Sequence, residues 1–315
     1  MLTIQILTLN NSKTIEKCLD SLVNIKGKIN IVDIGSTDNT LELCKARKVH
    51  IANFEHIQNR SKLRNQLLKD VVGWKMYLEP YEYLVDGIEE INSITSLNDD
   101  QVCLIKVAQD TIITQEIRLW NKDLKFINPV YETLDYDEGI EIPGLIVSKQ
   151  QSIPIENNLT LIELWKKQEP TSFKPYYYQA INLLLAGKYA EFTGLAEYYL
   201  FKDQQSQSAV MLRYYVAMTQ AYYLNDWNNA AKNILTCIGF KPSMAEFWCL
   251  LGDVHYQIKD YNKAKHFYQN AMILGSQRRQ SDKWPIDISK YQEHPQKMIK
   301  NIDDLLNKTQ LYFAK

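Results

Sequence analysis

Apolar residues change their spacing near position 155, and that change divides the chain. Residues 2–9 (LTIQILTL) form an apolar, β-branched run, and residues 12–23 then place Ile15, Cys18, Leu19 and Leu22 at helical spacing. The pattern predicts a strand followed by a helix. INIVDI at 29–34 predicts a second strand, and the turn Gly35-Ser36-Thr37-Asp38 offers polar groups that cap a helix beginning near Thr40. A third helix is predicted over 60–69, leading into the strand WKMYL at 74–78; VCLIKVA (102–108) and EIRLW (116–120) read as further strands. Strands that alternate with helices imply a sheet with helices on its faces, so the first half is predicted to be α/β with a mixed sheet.

Beyond residue 155 long amphipathic stretches alternate with short polar breaks, which predicts an all-helical half. The break Lys259-Asp260-Tyr261 is matched by Asn225-Asp226-Trp227, 34 positions earlier, and by Gly187-Lys188-Tyr189, 38 earlier still. Around these breaks Trp248, Leu251, Gly252, His255, Ala264, Tyr268 and Ala271 share their offsets with Tyr214, Ala217, Met218, Ala221, Ala230, Ile234 and Cys237. The pattern resembles tetratricopeptide repeats, in which small residues let two helices approach and large ones fill the groove to the next pair. Residues 159–168 and 289–312 are expected to flank the three units as end-covering helices. His255 and His266 fall in repeat helices and read as packing or surface residues.

At 315 residues two domains are expected, with a boundary at 1–152 and 153–315. Counting along the chain gives 17 basic minus 22 acidic residues before the boundary (−5) and 19 minus 15 after it (+4). The net charge of −1 argues against a surface built to hold polyphosphate. Cysteines at 18, 44, 103, 237 and 249 are odd in number and include no CxxC pair, as expected for reduced thiols. The start has no basic leader, and the sequence nowhere runs to about 18 consecutive apolar residues. The protein is expected to be cytoplasmic.

Ligands of open α/β sheets bind where strands end and helices begin. Polar clusters sit at three such ends: Thr8-Leu9-Asn10-Asn11, Asp33 with Gly35-Ser36-Thr37-Asp38, and Glu79-Pro80-Tyr81-Glu82. In order and spacing, ILTLNNSKTIEKCLDSL, NIVDIGSTDNT, RSKLRNQLL and WKMYLEPYEYL resemble the amino-terminal domain of family 2 glycosyltransferases over roughly residues 2–135. The resemblance implies a GT-A (Rossmann-like) fold with a nucleotide-sugar across the strand ends. It places Thr8 and Asn10 along the nucleoside, Asp33 on the base, and Asp38 at the nucleotide loop. A carboxylate only accepts hydrogen bonds, which suits the imide N–H of uracil. Arg60, Lys62, Arg64 and Asn65 correspond to a segment near the diphosphate, so Arg60 and Arg64 are expected to bind the nucleotide.

The chain departs from that family at the metal site. Members end the WKMYL-type strand with Asp-x-Asp; here Glu79, Pro80 and Tyr81 stand there, followed by Glu82. Where the family carries a His-Glu pair, the chain has Tyr131-Glu132, and LIVSKQ (145–150) lacks the usual His. Two alternatives remain open. Glu79 and Glu82 hold Mg2+ or Mn2+ through longer side chains and water, or the site is metal-independent, with Arg60, Arg64 or a lysine offsetting the diphosphate. Glu132 is the expected base that takes the acceptor proton, with Asp110 and Asp135 as fallbacks. No P-loop, G-x-S-x-G, HExxH or G-x-G-x-x-G occurs in the sequence.

The expected protein is thus an α/β plus all-α chain, a GT-A-like domain followed by a tetratricopeptide-type solenoid. Its expected activity is inverting transfer from a nucleotide-sugar, a UDP-sugar first, to a glycan, lipid-linked, protein or modified nucleic-acid acceptor. The repeats would hold the acceptor or a partner protein. The rival expectation is a degenerate nucleotide-binding scaffold whose repeats recruit a partner.

Overall fold

The computed structural model describes residues 1–47, 49–54, 59–97, 100–149, 155–278 and 282–313. They fall into two compact units, Met1–Trp165 and Lys166–Lys315. The boundary expected at residue 152 lies among residues 150–154, outside those described.

The first unit opens with β1 (Leu2–Thr8), α1 (Ile15–Asp20), β2 (Gly27–Asp33), α2 (Thr40–Ala46), β3 (His50–Asn53), α3 (Arg60–Leu68) and β4 (Trp74–Leu78). It continues with β5 (Glu82–Asp86), α4 (Ile88–Ile94), β6 (Val102–Gln109), β7 (Ile112–Trp120), β8 (Phe126–Ile127), β9 (Thr133–Leu134) and β10 (Ile140–Ser148). In the main sheet the order is β3-β2-β1-β4-β7-β6-β10-β5, and β8 pairs with β9 in a separate antiparallel hairpin. Strands β1 to β4 run parallel, while β7 is antiparallel to both of its neighbours β4 and β6.

Every residue of β1 is buried, because helices cover both faces of a parallel sheet. Leu2, Ile4 and Ile6 pack with Ile15, Leu19 and Leu22 of the α1 segment and with Met76 of β4. Leu7 points the other way, to Val32, Ile34 and Leu63 of α3. The chain order reverses at β1, with β2 on one side and β4 on the other, and that is where the carboxyl ends of an open sheet leave a crevice. The register sets Thr8 opposite Asp33 and Ile6 opposite Leu78, so all three polar clusters meet at one sheet edge.

Helix α1 is shorter than the 12–23 span its periodicity predicts. Asn11 C=O accepts from the backbone of both Thr14 and Ile15, each at 3.0 Å, which leaves residues 12–14 in the loop. Strand β10 carries Pro143-Gly144, where its pairing with β6 shifts register. Gly87, in the left-handed region at φ 93°, starts α4 there; a Cβ on it would lie 2.6 Å from the Gly144 Cα. Only glycine meets both demands.

In the second unit α6 (Lys174–Leu185), α7 (Tyr189–Lys202), α8 (Gln207–Tyr222), α9 (Trp227–Phe240), α10 (Ala245–Gln257) and α11 (Tyr261–Ser276) pack as successive antiparallel pairs. They follow α5 (Ile155–Gln168), within which the unit boundary falls, and precede α12 (Glu293–Phe313). This is the tetratricopeptide-type architecture the period predicts. Gly187, Asn225 and Lys259 all adopt left-handed backbone, with φ of 71°, 54° and 63°, at the same turn of each pair. Asp226 and Asp260, one residue on, cap α9 and α11 by accepting from Asn229 N and Lys263 N. The four extra residues of the first interval lie in α8, 16 residues long against 13 for α10, and in the turn after it. Helix α12 lays Ile302, Met298 and Ile299 on Ala245, Ala264, Tyr268 and Ala271. No helix among the described residues is long and apolar enough to cross a membrane.

Gly252 sets the separation of α10 and α11. A Cβ there would lie 2.7 Å from the Tyr268 ring, whose hydroxyl is fixed 2.6 Å from Asp253. Gly194, in α7, meets nothing within 4 Å. Gly252→Ala is expected to lower the unfolding free energy by about 1–3 kcal/mol, whereas Gly194→Ala raises it by about 0.5–1 kcal/mol. Urea unfolding of both variants checks this; equal stabilities would contradict a helix contact set by Gly252.

Candidate functional site

The first two polar clusters form a clamp at the ends of β1 and β2. Asn10, at φ 54°, accepts with its side-chain oxygen from Thr37 N at 2.8 Å and Asp38 N at 3.3 Å, and its own N–H donates to Ser36 Oγ at 2.9 Å. Thr8 is buried and donates its hydroxyl to Asn11 Oδ1 at 3.0 Å, while Asn11 N donates to Thr40 Oγ1 at 2.8 Å. Asp38 closes the clamp from the other side. Its Oδ2 accepts from Ser12 N at 3.1 Å, and Oδ1 accepts from Thr40 N at 3.0 Å and Thr40 Oγ1 at 2.5 Å. Burial opposes its charge, but the bonds from Thr40 and Ser12 outweigh burial and bring its pKa from 3.8 to about 2. Asn39, which directly precedes α2, caps nothing with its side chain; Asp38 takes the first N–H of the helix and also ties the β1 loop to it.

Asp33 ends β2 inside this clamp and is buried. Its Oδ2 accepts from Gly35 N at 3.1 Å and Ser36 N at 3.0 Å. Its Oδ1 is buried and has no hydrogen-bond partner among the described residues. Buried carboxylate oxygens are seldom left in that condition.

The third cluster is organised by arginine. Arg64, on α3, has no exposed surface, and each of its side-chain nitrogens is engaged. Nη2 pairs with Glu79 at the end of β4, Nε donates to Glu132 at 3.1 Å, and Nη1 reaches Gln5 of β1 at 3.5 Å. Burial disfavours its charge, yet Glu79 and Glu132 more than offset this and keep the guanidinium protonated. Arg118, on β7, grips Glu82 bidentately at 2.7 and 2.8 Å and also holds Glu116 at 2.9 Å. Tyr77 lies beneath both guanidiniums, at 4.5 Å from Arg118 and 5.1 Å from Arg64, with Phe126 5.2 Å from Arg64. Asn65 fastens the hairpin to α3 through two bonds with the Phe126 backbone, at 2.7 and 2.8 Å.

These placements correct several expectations. Arg64 cannot face a diphosphate, because its nitrogens are spent on protein acceptors and sealed from solvent. Arg60, one turn earlier, is half-buried and makes no hydrogen bond or ion pair among the described residues. Glu79 and Glu82 do not converge as a carboxylate pair; each faces a separate arginine. Among the described residues no group of three or more His, Cys, Asp or Glu is arranged to hold a metal ion. Tyr81, between the two glutamates, is raised well above an ordinary phenol, by burial first and then by the charges of Glu79 and Glu82. Taking Glu79 and Glu82 for a cation would cost Arg64 and Arg118 one buried carboxylate partner each, leaving them Glu132 and Glu116 alone. The residues present do not fit a divalent cation.

Glu132 gives one oxygen to Arg64, and its Oε2 makes no hydrogen bond among the described residues. Its side chain is 9% exposed. The fallback Asp110 sits at φ 52° in the turn between β6 and β7, and Asp135 accepts from Lys125 N at 2.8 Å within the β8–β9 hairpin. Asp110 is a turn residue, and Asp135 closes the open end of the hairpin. Sequence reasoning missed Gln5 and Arg118. The signal for Arg118 was present, since Glu116, Arg118 and Trp120 share one face of a strand whose other face is Ile117 and Leu119.

An α/β unit with a strand-end polar crevice, followed by a helical repeat, is the class these features define. Residues 3–73, which carry β1 to β3 and α1 to α3, match the sequence model described as Glycosyl transferase family 2, so the family resemblance holds for that segment. No curated protein matches the chain. Similar solved structures include MamA from residue 41 to its end from Desulfovibrio magneticus RS-1, at 18% identity and TM-score 0.38, covering 51% of this chain and 87% of that one. The Sgt2 TPR domain from Aspergillus fumigatus is another, at 11% identity and TM-score 0.35, covering 43% and 79%.

Asp38 provides a test of the clamp. Its folded pKa lies below its unfolded value, so its contribution to stability is present above pH 3.8 and disappears as the pH falls toward about 2. Asp38→Asn is expected to be less stable than the parent at neutral pH, with the gap closing over that acid range. Urea midpoints measured across the range check this; a gap independent of pH contradicts the clamp.

Proposed function

We propose that the chain is an inverting glycosyltransferase whose donor is a UDP-sugar, seated across the ends of β1, β2 and β4. One observation carries this reading: the buried, unpartnered Oδ1 of Asp33, set inside a loop clamp within the family-matched segment. An unsatisfied buried acceptor costs about 1–3 kcal/mol, and a ligand N–H such as the uracil imide removes that cost. Asn10 and Asp38 serve this pocket by holding its two loops in register, and Thr8 serves it through Asn11.

Glu132 is proposed as the base. Arg64 fixes one of its oxygens, which leaves the other to take the proton from an acceptor hydroxyl as that oxygen attacks the anomeric carbon and the nucleoside diphosphate departs. Arg60 is proposed to face the diphosphate. The acceptor class is left at glycan, lipid-linked, protein or modified nucleic acid, with the helical repeats binding the acceptor or a partner protein.

A second reading, a nucleotide-binding scaffold without turnover, is favoured by the engagement of Glu79, Glu82 and Glu132 by arginine. Calorimetric titration with UDP and CDP, together with donor hydrolysis, separates the two. The transferase reading expects UDP to bind in preference to CDP, with Asp33→Asn losing about 10- to 100-fold of that affinity. Glu132→Gln is expected to keep UDP binding and to lose about 10²- to 10⁴-fold in hydrolysis. Binding without any hydrolysis supports the scaffold, and no binding of either nucleotide removes both readings.

A further inference from the structure

We infer that Arg64 and Arg118 take up the carboxylates a divalent cation would need, so that this chain binds its nucleotide without metal. The inference rests on the nucleotide-sugar reading of the strand ends.

Its basis is the direction in which each carboxylate is drawn. Glu79 leaves the end of β4 and Glu82 opens β5 three residues later, close enough for Glu79 N to donate to Glu82 Oε2 at 2.9 Å. Even so, Glu79 turns to α3 and Glu82 turns to β7, because a buried arginine waits on each side. Between them stand Pro80, which carries no ligand atom on its side chain, and Tyr81, whose phenol is a poor ligand for a hard cation. Below lies an aromatic floor of Tyr77, Phe126 and Trp120, whose ring centroids are 5.3 to 6.2 Å apart. Aromatic faces accept planar, weakly hydrated guanidinium, whereas a small dication needs oxygen on all sides.

The two arginines also do what a bridging ion does mechanically. Arg64 joins α3, the end of β4 and the Glu132 loop, and Arg118 joins β7 to β5. Arg64 is therefore a positioning residue for Glu132. With both guanidiniums committed to four carboxylates, Arg60 is left for the diphosphate.

The test uses the full chain, titrated calorimetrically with UDP in EDTA and in MnCl2, and with Mn2+ alone. UDP affinity is expected to agree within about twofold between the two conditions, with no Mn2+ uptake that Glu79→Gln or Glu82→Gln abolishes. A loss of more than about tenfold in EDTA overturns the metal-free inference while leaving the nucleotide reading intact. If UDP binds in neither condition the nucleotide reading fails, and Mn2+ alone still decides: uptake lost in either glutamine variant overturns the inference, and its absence supports it. Should those variants not fold, fluorotyrosine labelling of the parent chain replaces them. Mn2+ broadening of the Tyr81 resonance, assigned with Tyr81→Phe, then overturns the inference, and an unbroadened resonance upholds it.

Discussion

A guanidinium with no exposed surface needs an acceptor for each nitrogen, and Arg64 recruits two carboxylates and an amide oxygen from elements distant in sequence. Its partners come from β1, the end of β4 and the loop after β8, so one desolvated charge fixes the relative positions of three segments. Burial makes the arrangement all-or-none. Removing either glutamate leaves a single carboxylate beside a fully desolvated guanidinium. Arg118 applies the same constraint to β5 and β7, and Tyr77 beneath both couples the two.

The half of the crevice at the ends of β1 and β2 is held differently. Its clamp uses short polar side chains on backbone N–H groups, with Asn10 and Asp38 crossing between the β1 and β2 loops. Neutral donors and a partly exposed carboxylate suffice there, and Asp33 is left with an oxygen to spare. The two halves differ in kind: one holds its carboxylates on buried guanidiniums, and the other leaves a buried carboxylate oxygen without a partner among the described residues.

Much of the fold was legible because it depends on spacing. The buried strand runs of β1, β2, β4 and β6 and the helical period of the second unit are local patterns. The left-handed residues at Gly187, Asn225 and Lys259 show that the sequence period is a structural one. Strand β10 was hidden by Pro143-Gly144, which reads as a break and in fact marks a register shift. At the strand ends, the residues that sequence reasoning named come together in the structure, but several have other partners than those expected. Arg64, Glu79, Glu82 and Glu132 all lie at the crevice, but spacing along a chain does not reveal which cation faces which carboxylate. Arg118 is 36 positions from Glu82, and only the pairing of β7 beside β4 brings them together.

The helical repeats are tied together by one buried carboxylate. Asp253 gathers hydroxyls from Tyr222 at 2.5 Å and Tyr268 at 2.6 Å and the ring of His294 at 3.1 Å, linking α8, α10, α11 and α12. The most direct measurement of the account is a crystal structure of the chain grown with UDP and MnCl2, with anomalous scattering recorded for manganese. The expected map shows Arg64 between Glu79 and Glu132, Arg118 on Glu82, and no manganese peak at either glutamate. A manganese ion bound by Glu79 or Glu82, with its arginine displaced, would contradict it.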